Sequence, residues 1–132
     1  ALYSSPLRRA RETAEIVAAR LGLEIVFDER LVEADAGDWT GMLAADIVAA
    51  DAAAYHDWRG RTPGFRLPGG ESVGEQAQRV AAALADVAAG PLPALVVTHG
   101  GCIRAVEGLH LPGNRVDNGA LYRIPAPVPT RR

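Results

Sequence analysis

Two short clusters hold most of the residues in this chain that could do chemistry. The first, Ser4-Ser5-Pro6-Leu7-Arg8-Arg9-Ala10-Arg11, places three arginines directly after a serine–proline pair. Serine followed by proline signals a helix start, with the hydroxyl as cap and proline at the first helical position. The helix macrodipole is positive there, so local stability favours acids over arginines. An anion held between the helix end and a guanidinium reverses that penalty. Helical spacing lets only one or two of the three face the same way. Arg9 is assigned to the site, and Arg8 and Arg11 to solvent. The second cluster, Thr98-His99-Gly100-Gly101, follows the apolar run Ala94-Leu95-Val96-Val97. Its glycines let backbone N–H groups approach a ligand closely. Taken alone, the cluster fits a structural histidine at a strand end. Taken with an arginine-rich helix start on another strand, it describes an oxyanion pocket that suits a phosphoryl group.

Composition narrows the chemistry further. All 14 basic residues are arginines, and lysine is absent. That excludes a Walker A loop, Schiff-base catalysis and a kinase-type lysine. The 16 acidic residues bring the net charge to −2, which implies no basic surface for nucleic acid. Cys102, the single cysteine, makes neither an internal disulfide nor a cysteine-rich metal site. His56 and His110 lack spaced partners for a metal and read as surface residues. The apolar runs are too short to cross a bilayer. The expectation is one domain over residues 1–132, cytoplasmic, with no metal or cofactor and no membrane association; oligomeric state stays open.

The elements that position these clusters follow from periodicity. The first residues read as a strand running into a helix on which Leu7, Ala10, Ala14, Val17 and Leu21 face the core, closed by Gly22. Ile25-Val26-Phe27 reads as a short buried strand, and Leu31 to Gly41 as loop. An alanine-rich stretch from Leu43 to Trp58 favours helix in two pieces. Gly60 to Gly70 is a surface loop. Ser72-Val73-Gly74-Glu75 is a capping box opening a helix that buries Val73, Ala77, Val80, Leu84 and Val87. Ala94 to Thr98 is a buried parallel strand. Helix from Cys102 to about Leu109 and a last strand over Leu121 to Ile124 complete the pattern, and the tail with Pro125, Pro127 and Pro129 is extended. Strands alternating with amphipathic helices give an α/β fold with a mainly parallel sheet in three α/β/α layers. In such sheets ligands bind outside the carboxyl ends of the strands.

One motif competes. Gly70-Glu71-Ser72-Val73-Gly74 matches the G-x-S-x-G elbow of serine hydrolases, with Asp86 and His99 following in the usual order. An elbow needs a buried strand directly before its serine, whereas Phe65-Arg66-Leu67-Pro68-Gly69 precedes this one. The capping box already gives Ser72 a complete role. Cys102 is no tyrosine-phosphatase nucleophile either, because Gly108 stands where the partner arginine belongs. It reads as a small buried residue.

Four ordered blocks carry a family resemblance. Ser4 to Ala14, Leu31-Val32-Glu33 with Gly37 to Gly41, Pro68 to Ser72, and Val97 to Arg104 resemble blocks of the histidine phosphatase superfamily, the phosphoglycerate mutase-like proteins. The resemblance spans essentially the whole chain. It implies a phosphomonoesterase acting through a phosphohistidine without metal. Arg9 corresponds to a pocket arginine that neutralises the transferring group. His99, with Gly100 beside it, corresponds to the second histidine that bonds the phosphoryl oxygens. Glu33 corresponds to the proton donor to the leaving oxygen, a task suited to a carboxyl kept partly protonated. The partner is then a small phosphorylated substrate, with sugar, nucleotide-like and ribazole phosphates all open. Tyr55, Trp58, Arg59, Arg61 and Arg66 are expected at the pocket rim. The segment between Trp39 and Gly69 is short for a mutase.

The family's nucleophile belongs to an Arg-His-Gly motif at the end of a central first strand, and no Arg-His-Gly occurs here. The chain begins where the family's second strand begins. The first strand, its loop and a helix, about 30–50 residues for such a unit, are expected to be missing. The sheet is then expected to show a gap or an exposed apolar edge, and the chain to be inactive alone. Two other functions remain: a non-catalytic protein that binds phosphate ligands through Arg9 and His99, and a serine hydrolase using Ser72.

Overall fold

The computed structural model describes residues 1–107 and 109–125. Three short strands form a parallel sheet in the order β2-β1-β3: β1 (Leu2–Ser4), β2 (Ile25–Phe27) and β3 (Leu95–Val97). Leu2 pairs with Ile25 on one side and Leu95 on the other, and Ser4 with Phe27 and Val97. The sequence motif at the chain start therefore becomes the middle strand. Leu2 and Ser4 are fully buried on one face of it. Tyr3 points to the opposite face, as strand alternation requires, and its hydroxyl lies beside Gly90.

Helix α1 (Arg8–Leu21) lies across all three strands. It buries Ala10 and Ala14 and ends at Gly22 in the left-handed conformation (φ 67°). Two details depart from the sequence reading. The helix starts after Leu7, so Pro6 precedes it, and the Ser5 hydroxyl accepts the Leu7 N–H (3.2 Å) rather than capping in the expected place. Leu21, expected to face the core, is exposed because the helix runs past the edge of the small sheet. The Ile25–Phe27 strand also differs, since it is an edge strand with Val26 and Phe27 largely in solvent.

Helix α2 (Ala44–Arg59) breaks at Asp51, where φ is −155°. The Asp51 carboxylate accepts the Ala54 N–H at 2.9 Å and restarts the helix, giving the two pieces the sequence implied. Helix α3 (Val73–Ala89) opens with a full capping box. Ser72 Oγ accepts the Glu75 N–H, and the Glu75 carboxylate accepts the Ser72 N–H, each at 3.0 Å. It packs on α4 (Gly100–Arg104) and on the turn Glu29–Leu31.

The C-terminal third departs most. Helix α4 begins at Gly100 and ends at Arg104, far short of Leu109; Gly108 lies outside the described residues. Leu121 to Ile124 is not a strand but irregular chain with both end residues exposed. Pro127 and Pro129 also lie outside the described residues. Among the described residues, the outer edge of β3 therefore has no partner strand. An apolar cavity of about 330 Å³ borders it, lined by Val80, Leu84, Leu95, Val96, Ile103 and Leu121 among others.

Candidate active site

The chemistry-bearing residues gather at the carboxyl ends of β1 and β3 and are not part of the cavity lining, which holds no charged side chain. Ser5 follows β1, and its N–H is held by the Val97 carbonyl at 2.9 Å. His99 follows β3. Because the strands are adjacent and parallel, both residues emerge side by side. The His99 Nε2 lies 2.8 Å from the Ser5 Oγ, and both groups are buried. The sequence marks Ser5 as a helix cap; its second role as partner of His99 has no signature there, since 94 residues separate the two.

Burial pushes the His99 imidazole below its ordinary value of 6.5, against the upward pull of Glu33 and with help from the charges of Arg9 and Arg79. The ring is therefore neutral at neutral pH. Positive charge for an oxyanion must come from arginine. The three arginines of α1 separate as helix geometry dictates. Arg8 pairs with Glu12 (2.8 Å) and Arg11 with Glu15 (3.8 Å), both on the exposed face. Arg9, also exposed, has no ion pair among the described residues, and its charge helps lower the proton affinity of His99.

Glu33 is held from three directions. Its carboxylate accepts the Ala34 N–H (2.9 Å), the Gly101 N–H (3.1 Å) and the Gln76 amide (3.5 Å). A Cβ at Gly101 would collide with this carboxylate and approach the Gln76 amide to 3.0 Å, which explains the second glycine after His99. The Gly101 N–H is thus committed to Glu33 rather than open to a ligand. Gly100 keeps its place beside His99, with the Arg104 guanidinium over it.

The scaffold behind Glu33 comes from α3. Arg79 makes two bonds to the Glu71 carboxylate (2.6 and 3.0 Å) and donates to the carbonyls of Arg30 and Val32, each at 2.7 Å. Gln76, fully buried, joins Glu33 to Arg61, whose guanidinium donates to the Gln76 carbonyl at 2.8 Å. Apolar periodicity places Val73, Ala77 and Val80 on this face and does not mark Gln76. A glutamine inside an apolar helical stripe was the available signal.

The remaining candidates sort cleanly. Ser72 is occupied by its capping box, and His99 meets Ser5 instead. The Cys102 thiol is buried against the Val32 carbonyl (3.0 Å), and burial pushes its pKa up. His56 and His110 are exposed. Arg66 pairs with Glu75 at 2.6 Å, and Arg59 and Arg61 are half-buried. No group of three or more potential metal ligands occurs among the described residues, and no helix there is long and apolar enough to cross a membrane.

The sequence model of the histidine phosphatase superfamily (branch 1) matches residues 1–124. The bifunctional protein Rv2228c of Mycobacterium tuberculosis is 36% identical over 126 residues, covering 94% of this chain and 34% of that protein. Phosphoserine phosphatase 1 of Hydrogenobacter thermophilus is 33% identical over 86 residues, covering 65% of this chain and 41% of that protein. Among solved structures, mycobacterial glucosyl-3-phosphoglycerate phosphatase Rv2419c is 36% identical with a TM-score of 0.69, covering 79% of this chain and 53% of that one. A complex of that phosphatase with inorganic phosphate matches with a TM-score of 0.67, 36% identity, and coverage of 79% and 55%. The chain thus spans from about a third to about half the length of these relatives.

Proposed function

Since the chain belongs to the histidine phosphatase superfamily, we propose that it supplies the phosphoryl-binding residues of a metal-independent phosphomonoesterase working through a phosphohistidine. The observation that carries this reading is the convergence of Arg9, His99 and Glu33. His99 is fixed on Ser5 at the end of β1, Arg9 stands at the start of the helix that follows, and Glu33 is locked to Gly101 two residues beyond the histidine.

In this reading Arg9 neutralises the transferring phosphoryl group. The neutral His99 ring bonds a phosphoryl oxygen. Attack by a histidine nitrogen on phosphorus forms the P–N bond as the P–O bond to the leaving group breaks. Glu33 gives its proton to the departing oxygen, then takes one from the water that hydrolyses the phosphohistidine. None of His56, His99 and His110 lies in an Arg-His-Gly. The reading therefore assigns the nucleophile to a segment outside these 132 residues. The apolar cavity beside β3 supports placing a further strand there, with its end next to His99.

Titration of the 132-residue chain with phosphate and with vanadate tests the pocket. Binding is expected, and Arg9→Ala and His99→Ala each weaken it. The same chain is expected to leave p-nitrophenyl phosphate uncleaved. Absence of oxyanion binding, or turnover that disappears in His99→Ala, would overturn the assignment.

A further inference from the structure

Helix α3 buries one polar side chain in the middle of its apolar face. Val73, Val80, Ala83 and Val87 are buried there, and Gln76 among them has no exposure at all. A primary amide taken out of water is costly unless its two ends are bonded, and here both have partners. Its oxygen accepts from Arg61 Nη1 at 2.8 Å, and its nitrogen donates to Glu33 Oε1 at 3.5 Å. A guanidinium only donates, so one orientation of the amide satisfies both sides: oxygen towards Arg61, NH2 towards the carboxylate.

The two groups that Gln76 joins carry opposite charges and are both half-buried, yet they form no ion pair among the described residues. The field of Glu33 nevertheless reaches Arg61. One amide therefore separates a cation and an anion whose attraction is strengthened by burial. Both neighbours are anchored. Arg61 lies in the left-handed region (φ 53°), an unfavourable backbone for a residue with a Cβ, and its Nη2 donates to the Val73 carbonyl at 3.2 Å. Glu33 accepts the Ala34 and Gly101 N–H groups at 2.9 and 3.1 Å. Gln76 borders this second contact too, since a Cβ on Gly101 would stand 3.0 Å from its nitrogen.

We propose that Gln76 is a positioning residue that keeps the Arg61 guanidinium off Glu33, so that this carboxyl stays on the Gly101 N–H and available for proton transfer. The proposal rests on the phosphomonoesterase reading, in which Glu33 serves the leaving oxygen. A carboxylate in direct contact with a guanidinium is held in its charged form and has its oxygens occupied, and both oppose proton donation. The amide gives Glu33 a neutral donor in place of a charged one. An apolar side chain at position 76 would suit the buried stripe of α3, but it would leave Arg61 without its acceptor and facing the carboxylate.

The test is amide hydrogen exchange, followed by NMR, on the 132-residue chain without ligand. In Gln76→Met, Arg61 closes on Glu33 and draws it from Gly101. The Gly101 N–H then exchanges about tenfold faster or more, the loss expected for a hydrogen bond to a charged group. The N–H groups of Ile103 and Ala105, which donate to the His99 and Gly101 carbonyls, keep their rates. In the double variant Gln76→Met/Arg61→Met the capturing cation is gone, and the Gly101 rate returns towards the wild-type value. Loss of packing alone would speed all three N–H groups and would not be reversed by removing a second side chain. Gln76→Ala serves in place of Gln76→Met should circular dichroism show that methionine prevents folding.

An unchanged Gly101 rate, equal acceleration of all three N–H groups, or acceleration that persists in the double variant overturns the positioning role. Phosphate titration separates that failure from failure of the underlying reading. If phosphate binds in an Arg9-dependent way while Gly101 behaves in any of these ways, only the role of Gln76 falls. If phosphate does not bind at all, the phosphoryl pocket falls and the role of Gln76 with it.

Discussion

Replacing Arg79 by methionine tests whether the candidate site is held from α3. The side chains of Arg79 and Glu71 retain only 20% and 12% of their exposure, so solvent screens the pair little. The substitution removes two bonds to Glu71, takes the Arg79 donor from the Arg30 carbonyl, and leaves the Val32 carbonyl with the Cys102 thiol at 3.0 Å. It strands the Glu71 carboxylate with only the Asp35 N–H, at 3.3 Å. Breaking a buried pair by deleting one partner costs about 3–5 kcal/mol, and the residual exposure here points to the lower end. A protein of this size has a stability of about 5–15 kcal/mol, so the loss is a large fraction of it. With a urea slope of about 1–3 kcal/mol per molar, a loss of about 3 kcal/mol moves the unfolding midpoint by about 1–3 M. Adding Glu71→Gln should recover part of this, because the stranded charge is then gone. Phosphate affinity should fall as well, since Val32 precedes Glu33. A midpoint shift in Arg79→Met no larger than that of an exposed ion pair, worth about 0–1 kcal/mol, would refute the reasoning.

Two further outcomes are expected. Ser72→Ala removes one half of the capping box and should cost about 1 kcal/mol in thermal or urea unfolding while leaving phosphate binding intact; lost binding with unchanged stability would point back to a nucleophilic serine. The unfolded chain holds the His99 proton more tightly than the folded one, because burial lowers the folded value from 6.5. Stability from the neutral ring is whole above about pH 6.5 and is lost as pH falls through the folded midpoint. An NMR titration of the His99 ring with a midpoint above 6.5 would contradict this.

The sequence is legible where the chain obeys local rules. The capping box at Ser72, the glycine stop at Gly22 and the two-piece helix over 44–59 all depend on residues within one turn of each other. The parallel strands flanking Arg9 and His99 were legible because each is an apolar run ending at a helix start. Misreadings arose where distant partners decide. Leu121 to Ile124 has a strand-like composition, but a strand exists only if another edge pairs with it, and β3 does not. Val26 and Phe27 look like core residues yet lie at the sheet edge. Gln76 looked unremarkable among alanines, and only the fold reveals that it joins Glu33 on one side to Arg61 on the other. Of the site, residue types were visible and mutual geometry was not.

The positions of these side chains bear on how binding relates to catalysis. His99 is fixed by Ser5 after β1, Glu33 by Gly101 on α4 and Gln76 on α3, and Arg61 by Gln76 and the Val73 carbonyl. None of these contacts comes from the cavity side of β3, whose lining is apolar apart from groups such as Thr98, Cys102 and Tyr122. The long-range contacts that fix His99, Glu33 and Arg61 thus come from the end of β1, from α3 and from α4. In the proposed reading, a strand placed at the outer edge of β3 adds to a pocket already shaped, because the groups that hold His99 and Glu33 are already engaged. In the proposed reading, oxyanion binding and phosphoryl transfer are therefore separable. That reading makes binding depend on Arg9 near the neutral His99 ring, and transfer on a nucleophile delivered beside it.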